Sequence, residues 1–276
     1  MKPELNIAAT RALATRIRRH VVRMTHAAKA SHVGTSLSMA DLLAVLYSGI
    51  LNVDPADPER PDRDRFVLSK GHGSAGLYAV LAERDFFPLE RLAEFYRDGS
   101  PLVGHVTRSG IPGVDASTGS LGHGLALACG MALAGVRDRR PYRVFALLSD
   151  GECDEGSTWE AALLARQHGL ENLVAIVDYN KIQSLGTVSE VLELEPFRQK
   201  WEAFGWSVRE IDGHDLAAIS RALATLPFVA RRPSCLIAHT VKGKGVSFME
   251  DQLLWHYRPP DSGELARALA ELGGDA

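Results

Sequence analysis

The chain has 276 residues, 46% hydrophobic and 24% charged, which is the usage of a protein that buries a core and excludes intrinsic disorder. Thirty-one basic against 34 acidic residues give a net charge of −3, without the basic surplus of a general nucleic-acid binder. Its three cysteines (Cys129, Cys153, Cys235) form no CxxC pair, so neither a disulfide framework nor a structural zinc site is indicated. No apolar run reaches about 18 residues and the N-terminus lacks a signal peptide's apolar core, so a soluble cytoplasmic protein is expected.

In chain order, residues 5–30 have a helical period, with Ala12, Ile17, Val21 and Met24 near one face. The arginines Arg16, Arg18, Arg19 and Arg23 read as a solvated helix face. Ser31 to Gly34 is a short break, residues 38–50 a buried helix, and 54–64 a Pro/Asp-rich loop. Five apolar runs of strand length follow: Phe66–Leu68, Arg143–Leu148, Asn172–Val177, Trp206–Ile211 and Ser234–Ala238. Helices fit at 74–84, 157–168, 196–204, 214–226 and 263–272. This alternation predicts an α/β fold, a doubly wound and mostly parallel sheet flanked by helices, as a single domain over 1–276. The glycine-rich stretch 99–124 is long for an idle loop in a compact domain.

The most informative segment runs from Ser149 to Ile182. Asp150 stands just past the carboxyl end of the run RVFALL, and Asn180 just past that of NLVAIV. Neighbouring strands lie about 4.8 Å apart, so both side chains reach one crevice at the carboxyl edge of the sheet. A carboxylate, an amide oxygen and a nearby main-chain carbonyl form a hard, incomplete oxygen shell that suits Mg²⁺ plus phosphate oxygens and water. Gly151 lets the backbone approach a phosphate, and a helix starting near Ser157 adds a favourable dipole. The plainer alternative is a loop aspartate and a turn asparagine. No P-loop, HExxH, GxSxG or completed GxGxxG is present; Lys242-Gly243-Lys244-Gly245 lacks the P-loop spacing.

With these residues in view, the chain resembles the N-terminal half of transketolase over nearly its whole length. Asp150-Gly151 through Asn180 is similar to the thiamine diphosphate motif of that family. ASHVGTSLSMADLL (30–43), LSKGHGSAGLY (68–78), GHVTRSGIPGVDASTGSLGHG (104–124) and TVKGKGVSFMEDQLLWH (240–256) match it in order and spacing. The family's first motif glycine is Ser149 here.

The resemblance implies that Asp150 and Asn180 bind Mg²⁺ by side chain and Ile182 by its carbonyl, with Ca²⁺ or Mn²⁺ as substitutes. It places His72, Gly151 and His256 near the diphosphate, and Gly119 and Leu121 at the aminopyrimidine edge. It places His32 and His105 along the substrate channel, where imidazole suits proton movement at sugar hydroxyls. Glu155 and Glu160 match acidic positions at a contact between subunits, although Ser157 to Glu160 also reads as a capping box. His20, His26, His168 and His239 read as structural or solvated; His123 and His214 stay open. Cys153 is a poor nucleophile candidate.

The family normally continues into a pyrimidine-binding and a C-terminal domain, which carry the glutamate that protonates N1′ of the aminopyrimidine. The resemblance therefore implies one subunit of a split transketolase, completed by a separate chain in an α₂β₂ heterotetramer. Its reaction would move a two-carbon ketol unit from a ketose phosphate to an aldose, in the pentose phosphate pathway or as a specialised ketol transferase. The rival readings are a component of a 2-oxoacid dehydrogenase, a component of the deoxyxylulose-phosphate synthase type, and a non-catalytic regulatory subunit. No nucleic acid or membrane partner is expected.

Overall fold

A computed structural model describes residues 5–274; residues 1–4 and 275–276 of the expected domain lie outside the described residues. The chain opens with α1 (Ile7–Ala28), capped by the Asn6 side chain accepting from the Ala9 amide at 3.0 Å. α2 (Val33–Ser38) and α3 (Ala40–Val45) follow, the latter running into a π-type turn over Leu46–Ile50. β1 (Arg65–Leu68) leads through the turn Gly71–Gly73 into α4 (Ser74–Glu83), and a 3₁₀ segment covers Leu89–Glu94. Then come α5 (Gly124–Arg137), β2 (Val144–Ser149), the turn Gly151–Asp154, α6 (Gly156–Gln167) and β3 (Leu173–Tyr179). The chain closes with α7 (Val188–Val191), α8 (Phe197–Ala203), β4 (Ser207–Asp212), α9 (Leu216–Ala224), β5 (Ser234–His239), the turn Leu253–His256 and α10 (Ser262–Glu271).

The five strands form one sheet in the order β1-β2-β3-β5-β4, every pair parallel. All five expected strands are present. β2 and β3 are buried along their whole length, which is why they read as unbroken apolar runs. Alternate residues serve two cores. Phe66, Leu68, Phe145, Leu147, Val174 and Ile176 face a core shared with α1, α3, α4 and α9. Val67, Val144, Ala146, Leu148, Ala175 and Val177 face one shared with α5, α6 and α8.

The helices depart from the sequence reading in several places. The expected helix at 38–50 is broken at Met39, and α2 begins inside the stretch read as a break. α5 occupies 124–137, where no element was expected, because Gly124, Gly130 and Gly135 mask its helical pattern. Two of them are packing sites: a Cβ on Gly124 would meet Ser69 Oγ at 2.1 Å, and one on Gly135 the Tyr142 ring at 2.8 Å. On α1, Leu13 and Ala14 are buried in place of Ala12. Arg18 is buried rather than solvated, and its two terminal nitrogens meet the carboxylate of Asp41 on α3 at 3.2 and 2.5 Å.

Candidate active site at the carboxyl edge of the sheet

Four strands deliver residues to one edge. The loop after β1 carries Lys70 and His72, that after β2 carries Asp150, that after β3 carries Asn180, and that after β5 carries Thr240 and Lys242. Under them lies a fully buried ion pair between Lys70 and Asp178. Asp178 also accepts from Ser38 Oγ of α2 at 2.6 Å and from Thr240 Oγ1. The Lys70 ammonium further reaches the Thr35 carbonyl at 3.4 Å. Burial alone would raise the Asp178 carboxyl; Lys70 and these hydrogen bonds bring it below the usual range.

Asp150 is buried, and its two oxygens accept from the amides of Gly151 (2.7 Å) and Lys181 (2.6 Å). Lys181 has a φ of 66°, a left-handed step that turns the chain between Asn180 and Ile182. Asn180 Oδ1 accepts from the Ile182 amide at 3.2 Å, and the Ile182 carbonyl accepts from the Lys242 ammonium at 2.7 Å. Gly151 lies against the Gln183 side chain, which a Cβ would meet at 3.2 Å. Burial, with Asp178 nearby, pushes the Asp150 carboxyl up to about 6, and burial lowers the Lys242 ammonium to about 8.

The four predicted histidines converge beside this shell. The His32 ring lies 5.2 Å from that of His72, 5.5 Å from His105 and 5.0 Å from His256; His72 and His256 are 6.1 Å apart. His32 is held in the left-handed region at φ 70°, and its amide donates to the His256 carbonyl at 2.9 Å. Lys242 joins the two halves of the site, reaching His256 Nδ1 at 3.0 Å. An ammonium has no lone pair, so Nδ1 accepts and the proton of neutral His256 sits on Nε2. Burial and the neighbouring cations lower His32 to about 4 and His256 to about 3, and hold His72 well below its ordinary value. All three are neutral at pH 7.

The glycine-rich stretch closes over this edge. Gly71 lies against Thr118 and Gly119, where a Cβ would stand 2.5 Å from the Thr118 carbonyl. Gly119, at φ 145°, lies against the His105 ring. Leu121 adjoins Gly122, whose amide donates to the buried Glu152 at 3.0 Å; Glu152 also accepts from Ser69.

Other expectations resolve as follows. The Ser157–Glu160 capping box does not form: α6 starts one residue early, with Glu155 at its N-cap and no side-chain cap bond. Ser157 instead faces Gly122, and both Glu155 and Glu160 are exposed. His214 lies outside the cluster: it bonds Asp41 at 2.8 Å and accepts from the Val241 amide at 2.9 Å, bracing the Lys242 loop. His123 is exposed and bonds the Leu121 carbonyl at 3.1 Å. Cys153 is buried, with its thiol pushed up by burial, and is inert. Sequence reasoning missed Lys70 and Lys242, although both lie in quoted motifs, because a lone lysine carries no spacing signal.

The oxygens at this edge come from one carboxylate, one amide and one carbonyl. Among the described residues no three His, Cys, Asp or Glu side chains gather as a metal cage. Residues 9–276 match the family model described as transketolase, thiamine diphosphate binding domain. The chain belongs to the transketolase family. It is 42% identical over 255 residues to one of the named subunits of the apulose-4-phosphate transketolase of Phocaeicola vulgatus, covering 92% of this chain and 90% of that one. It is 44% identical over 241 residues to the 6-deoxy-6-sulfo-D-fructose transketolase subunit SqwG of a Clostridium species, covering 87% and 88%. The solved transketolase of Campylobacter jejuni superposes with a TM-score of 0.92 at 32% identity, over 98% of this chain and 44% of that one. The transketolase match agrees with the parallel sheet described above.

Two predictions test this site. Lys70→Met leaves Asp178 buried without its cation and should cost about 3–5 kcal/mol in urea unfolding, and Lys70→Met/Asp178→Asn should recover much of that. Equal loss in both variants would contradict the pairing. Secondly, the unfolded chain protonates its histidines near pH 6.5, whereas folded His32 and His256 resist until about 4 and 3. Unfolding free energy should therefore fall as pH drops from about 6.5 to about 5, above the carboxylate range, and His32→Asn should flatten the slope. A flat wild-type profile would contradict burial of neutral imidazoles.

Proposed function

We propose that this chain is the diphosphate-side subunit of a two-component, Mg²⁺-dependent transketolase, active with a separate chain that supplies the pyrimidine side. The observation that carries this reading is the joint placement of the oxygen shell and the histidine cluster at one sheet edge. Lys242 spans the two, 2.7 Å from the Ile182 carbonyl and 3.0 Å from His256. Two of the relatives carry subunit names and match this chain over about nine-tenths of their own length.

The residues fit the cofactor. Asp150, Asn180 and the Ile182 carbonyl are hard donors suited to Mg²⁺, and burial raises the Asp150 carboxyl as it would where a cation is wanted. Lys242, Gly151 and His72 would hold the diphosphate, and Gly119 and Leu121 offer backbone groups to the aminopyrimidine edge. When bound, thiamine diphosphate supplies the carbon nucleophile that carries the two-carbon ketol unit. The chain's own groups hold and orient. His256 presents Nε2–H as a donor. His32, with Nδ1 3.1 Å from Ser31 Oγ, keeps Nε2 for the sugar, and His105 offers an exposed imidazole beside it. Neutral rings both donate and accept, which is what moving a proton between sugar hydroxyls requires.

The specialised names of these relatives favour a sugar with a terminal anionic group, phosphate or sulfonate, and a ketol transferase outside the common pentose phosphate route. The subunit names of these relatives support a partner chain; we read the assembly as α₂β₂, with exposed Glu155 and Glu160 at the contact between paired sites. Three free, buried cysteines accord with a reducing, cytoplasmic setting.

Calorimetry and turnover test the assignment together. Asp150→Ala should weaken Mg²⁺-dependent thiamine diphosphate binding more than about 100-fold. His105→Ala should leave binding intact and slow ketol transfer by the two-chain complex about 100-fold. Unchanged binding in the first variant would remove the metal assignment; equal loss of binding and turnover in the second would make His105 structural.

A further inference from the structure

The 118–122 loop is pinned at both ends and open between them. At its start, the Thr118 hydroxyl donates to the Leu68 carbonyl at the end of β1 at 2.5 Å, and the Thr118 amide to the Val106 carbonyl at 3.0 Å. At its end, the buried Gly122 amide donates to Glu152 Oε1 at 3.0 Å. Among the described residues, no hydrogen bond engages the amides of Gly119, Ser120 or Leu121. Gly122 itself has no room to shift: its φ is 81°, and a Cβ there would stand 2.3 Å from Ser157 Oγ.

Glu152, the far pin, is immobilised in turn. It is fully buried, on the turn two residues past Asp150. Its amide donates to Ser149 Oγ at 3.2 Å, the hydroxyl that stands where the family's motif has glycine. Its carbonyl accepts from Thr158 Oγ1 at 2.9 Å and from the Glu155 amide at 3.2 Å, which ties it to the start of α6. Oε1 accepts from Ser69 as well as from Gly122, while Oε2 is buried with no hydrogen-bond partner. A buried carboxyl group with one oxygen unsatisfied is a cost to the fold, so packing alone gives no reason for a glutamate here.

We propose that Glu152 is a positioning residue that sets the 119–121 backbone for the aminopyrimidine of the cofactor, and so holds the two ends of the cofactor site in register. The inference rests on the thiamine diphosphate reading of the site. Asp150, two residues before Glu152, belongs to the metal and diphosphate end. Gly122, one residue after Leu121, belongs to the pyrimidine end. A single carboxyl oxygen joins them across 30 residues of sequence. Glu152 is not among the groups proposed to hold the metal or the diphosphate. Losing its acceptor therefore frees the 119–121 backbone and falls on the pyrimidine, not on the diphosphate.

Calorimetry on the two-chain complex with Mg²⁺ compares two probes, thiamine diphosphate and inorganic pyrophosphate, which lacks the pyrimidine. Glu152→Met, of similar volume but without the acceptor, should weaken thiamine diphosphate binding about tenfold, the effect of one lost hydrogen bond, and leave pyrophosphate within about twofold. Glu152→Gln keeps an acceptor oxygen for Ser69 and Gly122 and should bind thiamine diphosphate within about threefold of wild type. Hydrogen exchange in the cofactor-free wild-type complex reads the same bond without a variant. The Gly122 amide should be protected there while those of Gly119, Ser120 and Leu121 exchange fast. Equal loss of both probes in Glu152→Met, loss of neither, a Glu152→Gln loss as large as that of Glu152→Met, or an unprotected Gly122 amide would overturn the proposal. A wild-type complex that binds neither probe with Mg²⁺ would instead overturn the thiamine diphosphate reading, and this inference with it.

Discussion

The Lys70–Asp178 ion pair is the constraint on which the site depends. Both side chains are fully buried, where an unpaired charge is very costly, so the surrounding backbone must bring them together. Doing so ties the loop after β1 to the end of β3, while Ser38 and Thr240 fasten α2 and the end of β5 to the same carboxylate. His72 lies two residues beyond Lys70, Asn180 two beyond Asp178, and Lys242 two beyond Thr240. The groups proposed to meet the cofactor are therefore set by one satisfied buried network rather than by independent loops. Such a network rigidifies when complete and is destabilising when one member is lost.

The same charges set the chemistry of the edge. Lys70 and Lys242 add to burial in lowering the histidines around them, so the rings stay neutral and keep a donor and an acceptor each. Lys242 stays cationic between Asp150 and His256, its charge opposed by burial and supported by Asp150. As proposed, an anionic diphosphate bound here would meet one ammonium, the three oxygens proposed to hold a divalent cation, and imidazoles that bring no extra charge. Among the described residues, two of the eight non-glycine residues with positive φ, His32 and Lys181, lie at this edge, where the left-handed step redirects the chain.

Much of this was legible in the sequence. β2, β3 and β5 were readable because parallel strands buried on both faces are unbroken apolar runs, and the spacing from Asp150 to Asn180 matched one crossover. The histidines were legible through motif context, not through spacing, since they come from four separate loops. What the sequence hid was tertiary. Arg18 looked like one of a solvated set until Asp41 on α3 appeared beside it. α5 was masked by glycines that serve close packing. The Ser157–Glu160 signature failed because the preceding 3₁₀ turn starts the helix at Gly156. Lys70 acts through a partner far away in the chain, Asp178, which no local pattern reports.

The central claim is that this chain holds one half of an active site, with the activating acid on another chain. Proton NMR of deuterium exchange at C2 of thiamine diphosphate, with Mg²⁺ present and binding confirmed separately, tests it most directly. Exchange should be slow with this chain alone and fast once the partner chain is added. Fast exchange with this chain alone would mean that it carries its own activating acid, and would contradict the account.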